Sequence, residues 1–320
     1  MTTMELQSTN ILITSIGSMS GEYAISSLRR ANFGKLYGCD LYPSTYLPHS
    51  RQLDGFFQVP RGDSETYEEA VAKIVKKYNI NVIVPLTDVE VDFWTNHRDD
   101  WEKRGIRICI ASNSAIQLCR DKYALAHFPM KRHTFSVIPT YREKQEIKFI
   151  RGRIIAKPRK GRSSEGIFIF EDSNEIPDRL FAIDYLFQPY INGNIFTVDY
   201  LRTAKGNDFG IAREELLRTA NGAGTVVRIV KNEDLINAAH CLGEKLNLIG
   251  CVNMEFIHLK GVWYLLDINP RFSAGVSFSF RSGYDFVSNH IRVFLDKAPE
   301  KFPHIIPEGR IFVKRFHDQE

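Results

Sequence analysis

The chain has 320 residues, of which 43% are hydrophobic and 25% charged, and its 42 Lys and Arg against 38 Asp and Glu give a net charge of +4. These values are ordinary for a globular protein long enough to bury a large core in two or three units. The charge is too small, and the basic residues too scattered, to indicate nucleic acid binding, although it suits polyanionic small molecules such as nucleotides. No apolar run approaches the roughly 20 residues of a membrane span, so we expect no membrane association.

The amino terminus and the cysteines indicate the compartment. The first ten residues, MTTMELQSTN, lack the basic start and the apolar core of a secretory signal. The cysteines are dispersed over apolar segments without metal-ligand spacing, at Cys39, Cys109, Cys119, Cys241 and Cys251. We therefore expect reduced core thiols and a cytoplasmic location.

The first 111 residues alternate predicted strands with predicted helices. Such alternation is typical of a Rossmann-like parallel sheet with helices on both faces. Gly17 and Gly21 form G-x-x-x-G. Because this does not match the dinucleotide fingerprint G-x-G-x-x-G, an NAD-dependent dehydrogenase is only a distant alternative. The predicted strands are 10–16, 35–40, 81–86 and 106–110.

The middle of the chain changes from a predicted helical segment, 111–128, to short strands and turns that continue to about residue 187. The predicted strand RIIAK ends at Lys157 and leads into the Gly- and Ser-rich loop 158–166. Backbone N–H groups in such a loop can approach an anion closely. We predict three domains, which are 1–111, 112–187 and 188–320.

Residues 251–274 are predicted to form two strands joined by a tight turn, with acids where a buried hairpin should have none. A three-residue loop, 259–261, places Glu255 diagonal to Asp267, at about 7–8 Å between Cα atoms. Because side chains alternate along a strand, four polar residues share one face. These residues are Asn253, Glu255, Asp267 and Asn269.

Carboxylate and amide oxygens at this spacing suit one or two divalent cations, and Mg²⁺ prefers such ligands together with phosphate oxygens. Arg271 follows Asn269 beyond Pro270, where it could hold a transferring phosphoryl group. The competing interpretation is the polar outer face of an ordinary surface hairpin. The run D-I-N-P-R at this distance from Glu255 favours the metal site.

The hairpin resembles the metal-binding hairpin of the ATP-grasp superfamily, in its carbamoyl-phosphate-synthase-like and carboxylate–amine ligase branch. In that family an acid on one strand and an acid-x-Asn-Pro-Arg run on the next hold the magnesium ions of ATP. The resemblance implies that Glu255, Asp267 and Asn269 bind two Mg²⁺ ions, with Mn²⁺ as an alternative. It implies that Arg271 and Lys157 are catalytic. It also implies an α/β fold of the ATP-grasp α+β type, with an N-terminal Rossmann-like parallel sheet, a small α+β lid and a C-terminal antiparallel body.

Further motifs occur in the family's order across about residues 10–290. Lys122, directly after Asp121, and Lys157 match the two lysines with which the family binds the nucleotide phosphates. The loop 158–166 resembles the family's phosphate lid, although Arg162 and serines replace the consecutive glycines of many members.

Residues 185–201 resemble the hinge that holds adenine, with a backbone carbonyl contact expected at Pro189 and a backbone amide contact at Ile191. Where the family often places a Glu for the ribose, this chain has Ile195, so neighbouring Asn194 is the candidate. The ATP site that the resemblance implies comprises Lys122, Lys157, Gly161, Arg162, Ser163, Ser164, Gly166, Gln188, Pro189, Tyr190, Ile191, Asn194 and Glu255.

The resemblance implies an ATP-dependent ligase that joins a small-molecule carboxylate to an amine through an acylphosphate and releases ADP and phosphate. Arg213 and Arg281 are candidate contacts for the carboxylate substrate. One alternative is a carbamoyl-phosphate-synthase-like phosphorylation of bicarbonate or carbamate with a partner subunit. Another is a nucleotide-binding sensor without turnover. A homodimer is compatible with the sequence.

Overall fold

The computed structural model describes residues 6–129, 134–162, 164–303 and 305–315. Ser163, a predicted ATP contact, lies outside these residues. The described chain forms three sheets with helices around them, which confirms the predicted α/β fold class. None of the described helices is long and apolar enough to cross a membrane.

A parallel sheet occupies the amino-terminal third, with strands β1 (Ile11–Thr14), β2 (Leu36–Asp40), β3 (Gly55–Gln58), β4 (Val82–Pro85) and β5 (Arg107–Ile108). They lie in the order β3-β2-β1-β4-β5. The central strands β1 and β4 are buried along their whole length, as expected for a parallel sheet with helices on both faces. Strand β3 is absent from the prediction because its Gly-Phe-Phe-Gln sequence is too short to show a period.

Helices α1 (Gly21–Arg30), α2 (Tyr67–Tyr78) and α3 (Asp88–Lys103) connect these strands. Because the connections after β1 and β4 run to opposite sides, the loops that follow these two strands diverge and leave a crevice. Open α/β sheets bind ligands at such a position. A Cβ atom on Gly21 would lie 1.7 Å from the carbonyl oxygen of Ile16. The second glycine of G-x-x-x-G is therefore required by packing.

The predicted helical segment 111–128 contains two helices, α4 (Asn113–Arg120) and α5 (Lys122–His127), with a break between them that was not predicted. Asp121 interrupts them with an extended conformation, φ −101° and ψ 92°, and its carboxylate accepts a hydrogen bond from the Ala124 backbone N–H at 3.0 Å. Asp121 is thus the N-cap of α5, and the break determines where Lys122 begins the next helix.

The chain continues through β6 (Ser136–Val137), α6 (Lys144–Ile147), β7 (Ile154–Pro158), β8 (Phe168–Phe170) and β9 (Tyr185–Pro189). Strands β7, β8 and β9 form a small antiparallel sheet in the order β8-β7-β9. This lid has a core of its own, which includes Ile147, Ile154, Leu180 and Phe187. Strand β6 instead pairs with the large sheet described below. The domain boundaries at 111 and 187 stay a prediction.

The largest sheet holds β10 (Asn194–Arg202), β11 (Asp208–Arg218), β12 (Gly224–Val230), β13 (Gly250–Leu259), β14 (Val262–Asn269) and β15 (Ile311–Val313), together with β6. Their order is β15-β12-β11-β10-β13-β14-β6, antiparallel except for β6. Apolar residues on one face, such as Val198 and Met254, share a core with helix α7 (Glu233–Lys245). The opposite face is polar, and helices α8 (Val276–Arg281) and α9 (Phe286–Phe294) follow the last long strand of the sheet.

The β13–β14 hairpin differs from the predicted register. Leu259 pairs with Val262, so the loop has two residues, Lys260 and Gly261, both with positive φ. This turn shifts the register by one residue, and an irregularity after Glu255 shifts it by one more. Glu255 therefore lies directly opposite Asp267 rather than diagonal to it. A shift of one residue in the pairing moves side chains to the other face of the strand, and a second shift moves them back. The prediction that Asn253, Glu255, Asp267 and Asn269 share one face is therefore confirmed.

His290 of α9 fixes the parallel sheet against the large sheet. The Cys251 backbone N–H donates to Nδ1 of His290 at 2.7 Å, and Nε2 lies 3.0 Å from the Cys109 carbonyl oxygen. Burial lowers the pKa of His290 to about 4. The ring is therefore neutral near pH 7, with its proton on Nε2.

Candidate active site

A cleft of about 510 Å³ opens where the three sheets meet. The polar face of the large sheet contributes residues from β10, β11, β13 and β14, and the lid contributes Lys157 and the loop that follows it. The parallel sheet contributes the segments 17–20 and 86–89, which begin at the crevice between β1 and β4. All three predicted parts of the fold therefore reach one cleft.

Strand pairing arranges the polar residues of the sheet in rows. Thr197 of β10 is paired with both Arg213 and Glu255, and Glu255 is paired with Asp267. A second row beside it contains Asp199, Asn253 and Asn269. Paired residues lie on the same face of a sheet, so two rows of polar residues run side by side on this face.

The acids of the hairpin fit a magnesium site. Directly opposite residues have Cα atoms about 4.5–5.5 Å apart, so the Glu255 and Asp267 carboxylates can converge on one ion. The Asn269 Nδ2 group donates to Asn253 Oδ1 at 3.4 Å, which leaves Asn269 Oδ1 as a third oxygen donor. The described residues contain no group of three His, Cys, Asp or Glu side chains arranged for a metal. Two carboxylates and an amide suffice for Mg²⁺, because this ion keeps waters and phosphate oxygens as ligands.

Protein cations neutralise both acids. Arg218 Nη2 lies 2.7 Å from Glu255 Oε2, and Lys122 Nζ lies 3.8 Å from Asp267 Oδ2. Burial raises the pKa of the Glu255 carboxyl; Arg218 lowers it, and Asp267 raises it again, with a net rise. A bound metal ion would favour the ionised form of Glu255 and lower this pKa.

The two predicted phosphate lysines face the same acids. Lys157 is 5% exposed, and burial lowers its pKa to about 8, with Lys122 adding to that effect and Asp267 and Glu255 opposing it. Lys122 donates from Nζ to the Gly161 carbonyl oxygen at 2.8 Å. The structure therefore brings both ammonium groups to the hairpin acids.

A salt bridge fixes Lys122 relative to the lid. Arg159 donates from Nε to Asp121 Oδ1 at 2.8 Å and from Nη2 to Oδ2 at 2.5 Å. The Lys122 backbone N–H also donates to the Arg159 carbonyl oxygen at 3.2 Å. The N-cap aspartate thus joins helix α5 to the strand that carries Lys157, and a bidentate pair of this kind restricts geometry well.

The lid loop supplies further cleft residues. Gly161, Arg162 and Ser164 line the cleft, whereas Gly166 does not. Gly166 has φ +69°, and a Cβ atom there would lie 2.7 Å from the Tyr185 hydroxyl oxygen. Glycine at 166 is therefore required by backbone conformation and packing, and its assignment to ATP stays a prediction.

Arg271 is held by the parallel sheet. Its Nη2 atom lies 2.9 Å from Asp88 Oδ2, and Arg120 Nη1 lies 3.2 Å from Asp88 Oδ1. Burial raises the pKa of Asp88, but Arg271 and Arg120 outweigh it and hold that pKa below its usual value. Asp88 is thus an ionised link, at the start of α3 after the parallel strand β4, that orients the arginine of the D-I-N-P-R run.

The two predicted substrate arginines differ in position. Arg213 lines the cleft and is fully buried, with Nη1 on Asp199 at 2.7 Å, Nε on Glu215 at 3.1 Å and Nη2 on Ser273 at 3.0 Å. Arg281 is exposed at the end of α8 and does not line the cleft. Neither guanidinium is therefore placed to clamp a carboxylate in this conformation.

The predicted adenine hinge lies outside the cleft lining. Gln188 is buried and donates to the Thr140 hydroxyl oxygen at 2.7 Å, and Tyr190 packs against the Arg153 guanidinium. Asn194 lies on the opposite face of β10 from Thr197 and donates to Glu214 at 2.9 Å. Pro189 and Ile191 are also absent from the residues that line the cleft within the described chain. The structure does not bring the hinge residues together with the metal end.

Several residues that line the cleft were not among the predicted site residues. Glu215 and Arg218 lie in the last part of β11, and Ser18 and Ser20 follow β1. The signal for the serines was available, because ligands bind at the carboxyl ends of parallel strands. Arg218 gave no such signal, since its position depends on local irregularities of a hairpin.

Two family models match the chain. A model of the ATP-grasp domain matches residues 119–275, and a model of the PylC-like N-terminal domain matches residues 11–109. All residues that line the cleft fall within these two segments. No curated protein sequence matches the chain.

Solved structures share the fold. The biotin carboxylase domain dimer of 2-oxoglutarate carboxylase from Hydrogenobacter thermophilus, in complex with MgADP, ADP and bicarbonate, is 17% identical with a TM-score of 0.78, over 95% of this chain and 73% of that one. An N5-carboxyaminoimidazole synthetase from Staphylococcus aureus complexed with ADP is 16% identical, with a TM-score of 0.72, over 96% and 80%. An L-amino acid ligase from Bacillus licheniformis is 13% identical, with a TM-score of 0.69, over 90% and 74%.

Proposed function

The chain belongs to the ATP-grasp family of ATP-dependent ligases, and on that premise we propose that it joins a carboxylate to an amine through an acylphosphate. The observation that carries the proposal is the paired acids Glu255 and Asp267, which share one cleft with Lys122, Lys157 and Arg271. Acids for a metal ion and cations for phosphates are what phosphoryl transfer from ATP requires. The L-amino acid ligase among the structural neighbours is consistent with this activity.

In this proposal the side chains bind and orient rather than react covalently. Lys122 and Lys157 neutralise phosphate oxygens, and Glu255, Asp267 and Asn269 hold the metal. Bound with ATP, Mg²⁺ would neutralise phosphate charge and orient the γ-phosphoryl group. Arg271, held by Asp88 at 2.9 Å, stabilises the charge on the transferring group. The buried Lys157 loses little conformational freedom on binding, which favours a fixed geometry.

The order of bonds follows from the reaction. A carboxylate oxygen of the substrate attacks the γ-phosphorus, the bond to the β-phosphate oxygen breaks, and ADP leaves. The amine then attacks the acylphosphate carbon and loses a proton, while phosphate departs with the former carboxylate oxygen. Positioning and charge stabilisation account for such a step without a protein nucleophile.

A second candidate is phosphorylation of bicarbonate or carbamate. The neighbour from Hydrogenobacter thermophilus was solved with bicarbonate, and it is a carboxylase domain. Bicarbonate would take the place of the organic carboxylate in the same cleft. A nucleotide-binding sensor is a weaker alternative, because both paired acids and Arg271 are present.

The test is Asp267→Ala, assayed for Mg²⁺-dependent ADP formation with pools of amino acids, small organic acids and bicarbonate. We expect the variant to lose ADP formation while it unfolds at the wild-type temperature, because Asp267 is a cleft acid and not a core residue. Asp63→Ala, an acid with a 55% exposed side chain outside the cleft, is the matched control. Wild-type turnover by Asp267→Ala would contradict the metal assignment. Bicarbonate-dependent ADP release without an organic acid would favour the second candidate.

Assembly and location are also proposals. One neighbour was solved as a dimer, and we propose a homodimer, which a molar mass measured in solution would test. A cytoplasmic location is proposed from the free cysteines, of which Cys39, Cys109, Cys119 and Cys251 are buried.

A further inference from the structure

Arg218 holds one of the proposed metal ligands. Its Nη2 atom donates to Glu255 Oε2 at 2.7 Å, and its Nε atom donates to the Gly222 carbonyl oxygen at 2.7 Å. The first contact is an ion pair in which both side chains are about four-fifths buried, at 21% and 19% exposure. Arg218 therefore neutralises Glu255 from within the cleft, where screening by water is reduced.

The β11–β12 hairpin bends so that Arg218 can reach β13. The pairing of β11 with β12 shifts between Glu215 and Leu217 and again between Leu217 and Arg218. Such bulges bend a strand and redirect its side chains. Leu217 is 60% exposed, whereas the next residue, Arg218, lines the cleft. The irregularities thus aim one guanidinium across β10 at Glu255.

The Glu255 carboxylate has two positively charged partners in the proposed function. A metal ion ligated by Glu255 and the Arg218 guanidinium both carry positive charge and both require the Glu255 carboxylate. Two positive charges on the same carboxylate repel each other strongly in a partly buried site. Arg218 and the metal therefore compete for Glu255.

Arg218 also differs from the other arginines of the sheet. Arg213 donates to Asp199, Glu215 and Ser273, and Arg271 is held by Asp88. Neither Asp199 nor Asp88 is a proposed metal ligand. Two ion pairs of the described residues include a carboxylate that the proposed function assigns to the metal, Arg218 with Glu255 at 2.7 Å and Lys122 with Asp267 at 3.8 Å. Lys122 is already assigned to the phosphates, and Arg218 is the arginine of the two. Metal binding would thus release the Arg218 guanidinium, which has no role yet in the proposed function.

We propose that Arg218 occupies Glu255 as a substitute cation until the metal and nucleotide bind, and then contacts the carboxylate of the acceptor substrate. The acceptor carboxylate consequently binds after the metal, because its guanidinium partner is released only then. This inference rests on the proposed function and adds a substrate contact and an order of binding to it. The turn that follows Arg218 contains Gly222, with φ +87°, and lies beside Ser164 of the lid loop. In the proposal, this turn accommodates the movement of the Arg218 side chain away from Glu255.

The experiment uses Mn²⁺ as the probe and requires no turnover. Free Mn²⁺ is measured by electron paramagnetic resonance during titration of the wild type and of Arg218→Gln, without nucleotide. We expect Arg218→Gln to bind Mn²⁺ at least threefold more tightly, since a competing cation has been removed. A purely structural arginine would give the opposite result, because its loss would disorder Glu255.

Arg228→Gln is the matched control. Arg228 lies on the same hairpin and pairs with Glu214 on the opposite face of the sheet, with a 45% exposed side chain. We expect it to bind Mn²⁺ like the wild type. Arg218→Lys keeps the charge, so its Mn²⁺ affinity should stay near that of the wild type.

Turnover provides the second readout, with ADP release measured in an equimolar pool of the twenty common amino acids and in bicarbonate. We expect Arg218→Gln to lower kcat at least tenfold, so metal affinity and turnover change in opposite directions. Unchanged or weaker Mn²⁺ binding by Arg218→Gln would overturn the inference, and so would unchanged kcat. Asp267→Ala separates the two proposals, because its loss of ADP formation would support the ligase even where Arg218→Gln behaves like the wild type.

Discussion

The two ends of the proposed nucleotide site are built from different chemical groups. At the metal end, Glu255, Asp267, Lys122 and Lys157 approach one another through charged side chains. At the hinge end, the family resemblance relies on the backbone carbonyl of Pro189 and the backbone amide of a neighbouring residue. Charged side chains are specified by residue type, whereas every residue has a carbonyl group. Sequence therefore determines the metal end far more tightly than the hinge end.

The largest effect on ATP binding is expected at Lys157, at the metal end. We expect Lys157→Met to weaken ATP binding by roughly tenfold to a hundredfold, the effect of losing one charge-assisted hydrogen bond. The pKa of Lys157 is about 8, so its charge is lost as pH rises from 7 to 9. ATP phosphates favour the charged form, and wild-type affinity should fall across this window. Calorimetric titration with ATP at pH 7 and pH 9 measures both effects.

Lys160→Met, an exposed lysine three residues further along the lid, is the control and should retain the wild-type pH dependence. Lys157→Met should bind ATP equally well at both pH values. A steep pH dependence that survived in Lys157→Met would show that another group titrates. In that case a different lysine would bind the phosphates at the metal end.

The smallest effect is expected at the hinge end. Asn194 donates to Glu214 on the face of β10 away from the cleft. Asn194→Ala should therefore change ATP affinity by less than about twofold, since it removes no nucleotide contact. Comparison of ATP with 2′-deoxy-ATP checks the ribose directly. If Asn194→Ala no longer discriminated between these nucleotides, Asn194 would contact the ribose. The hinge end would then also depend on a specific side chain, as the metal end does.

Sequence patterns predicted the parallel sheet and the polar face of the hairpin because both depend on periodicity. The face of Glu255 and Asp267 was right although the register was wrong, since a two-residue turn and a bulge each shift the pairing by one. The break at Asp121 was missed because a helical apolar pattern continues across it, while its carboxylate caps α5.

Other features had no local signal at all. The Arg218–Glu255 pair depends on two irregularities in β11, and the Arg271–Asp88 pair joins residues 183 positions apart. Side-chain contacts of this kind follow from the packing of domains rather than from any short pattern. Arg213 shows the converse, because its sequence position suggested a substrate clamp, whereas Asp199, Glu215 and Ser273 already engage it.

In the proposed reaction a substrate carboxylate attacks the γ-phosphorus of ATP to give an acylphosphate. The most direct measurement supplies the acid that supports ADP release with ¹⁸O in its carboxylate, adds its amine partner, and analyses the released phosphate by mass spectrometry. We expect one labelled oxygen in each phosphate, carried over when the amine displaces it. Phosphate without the label would show that water or another group attacks ATP, and would contradict the ligase mechanism.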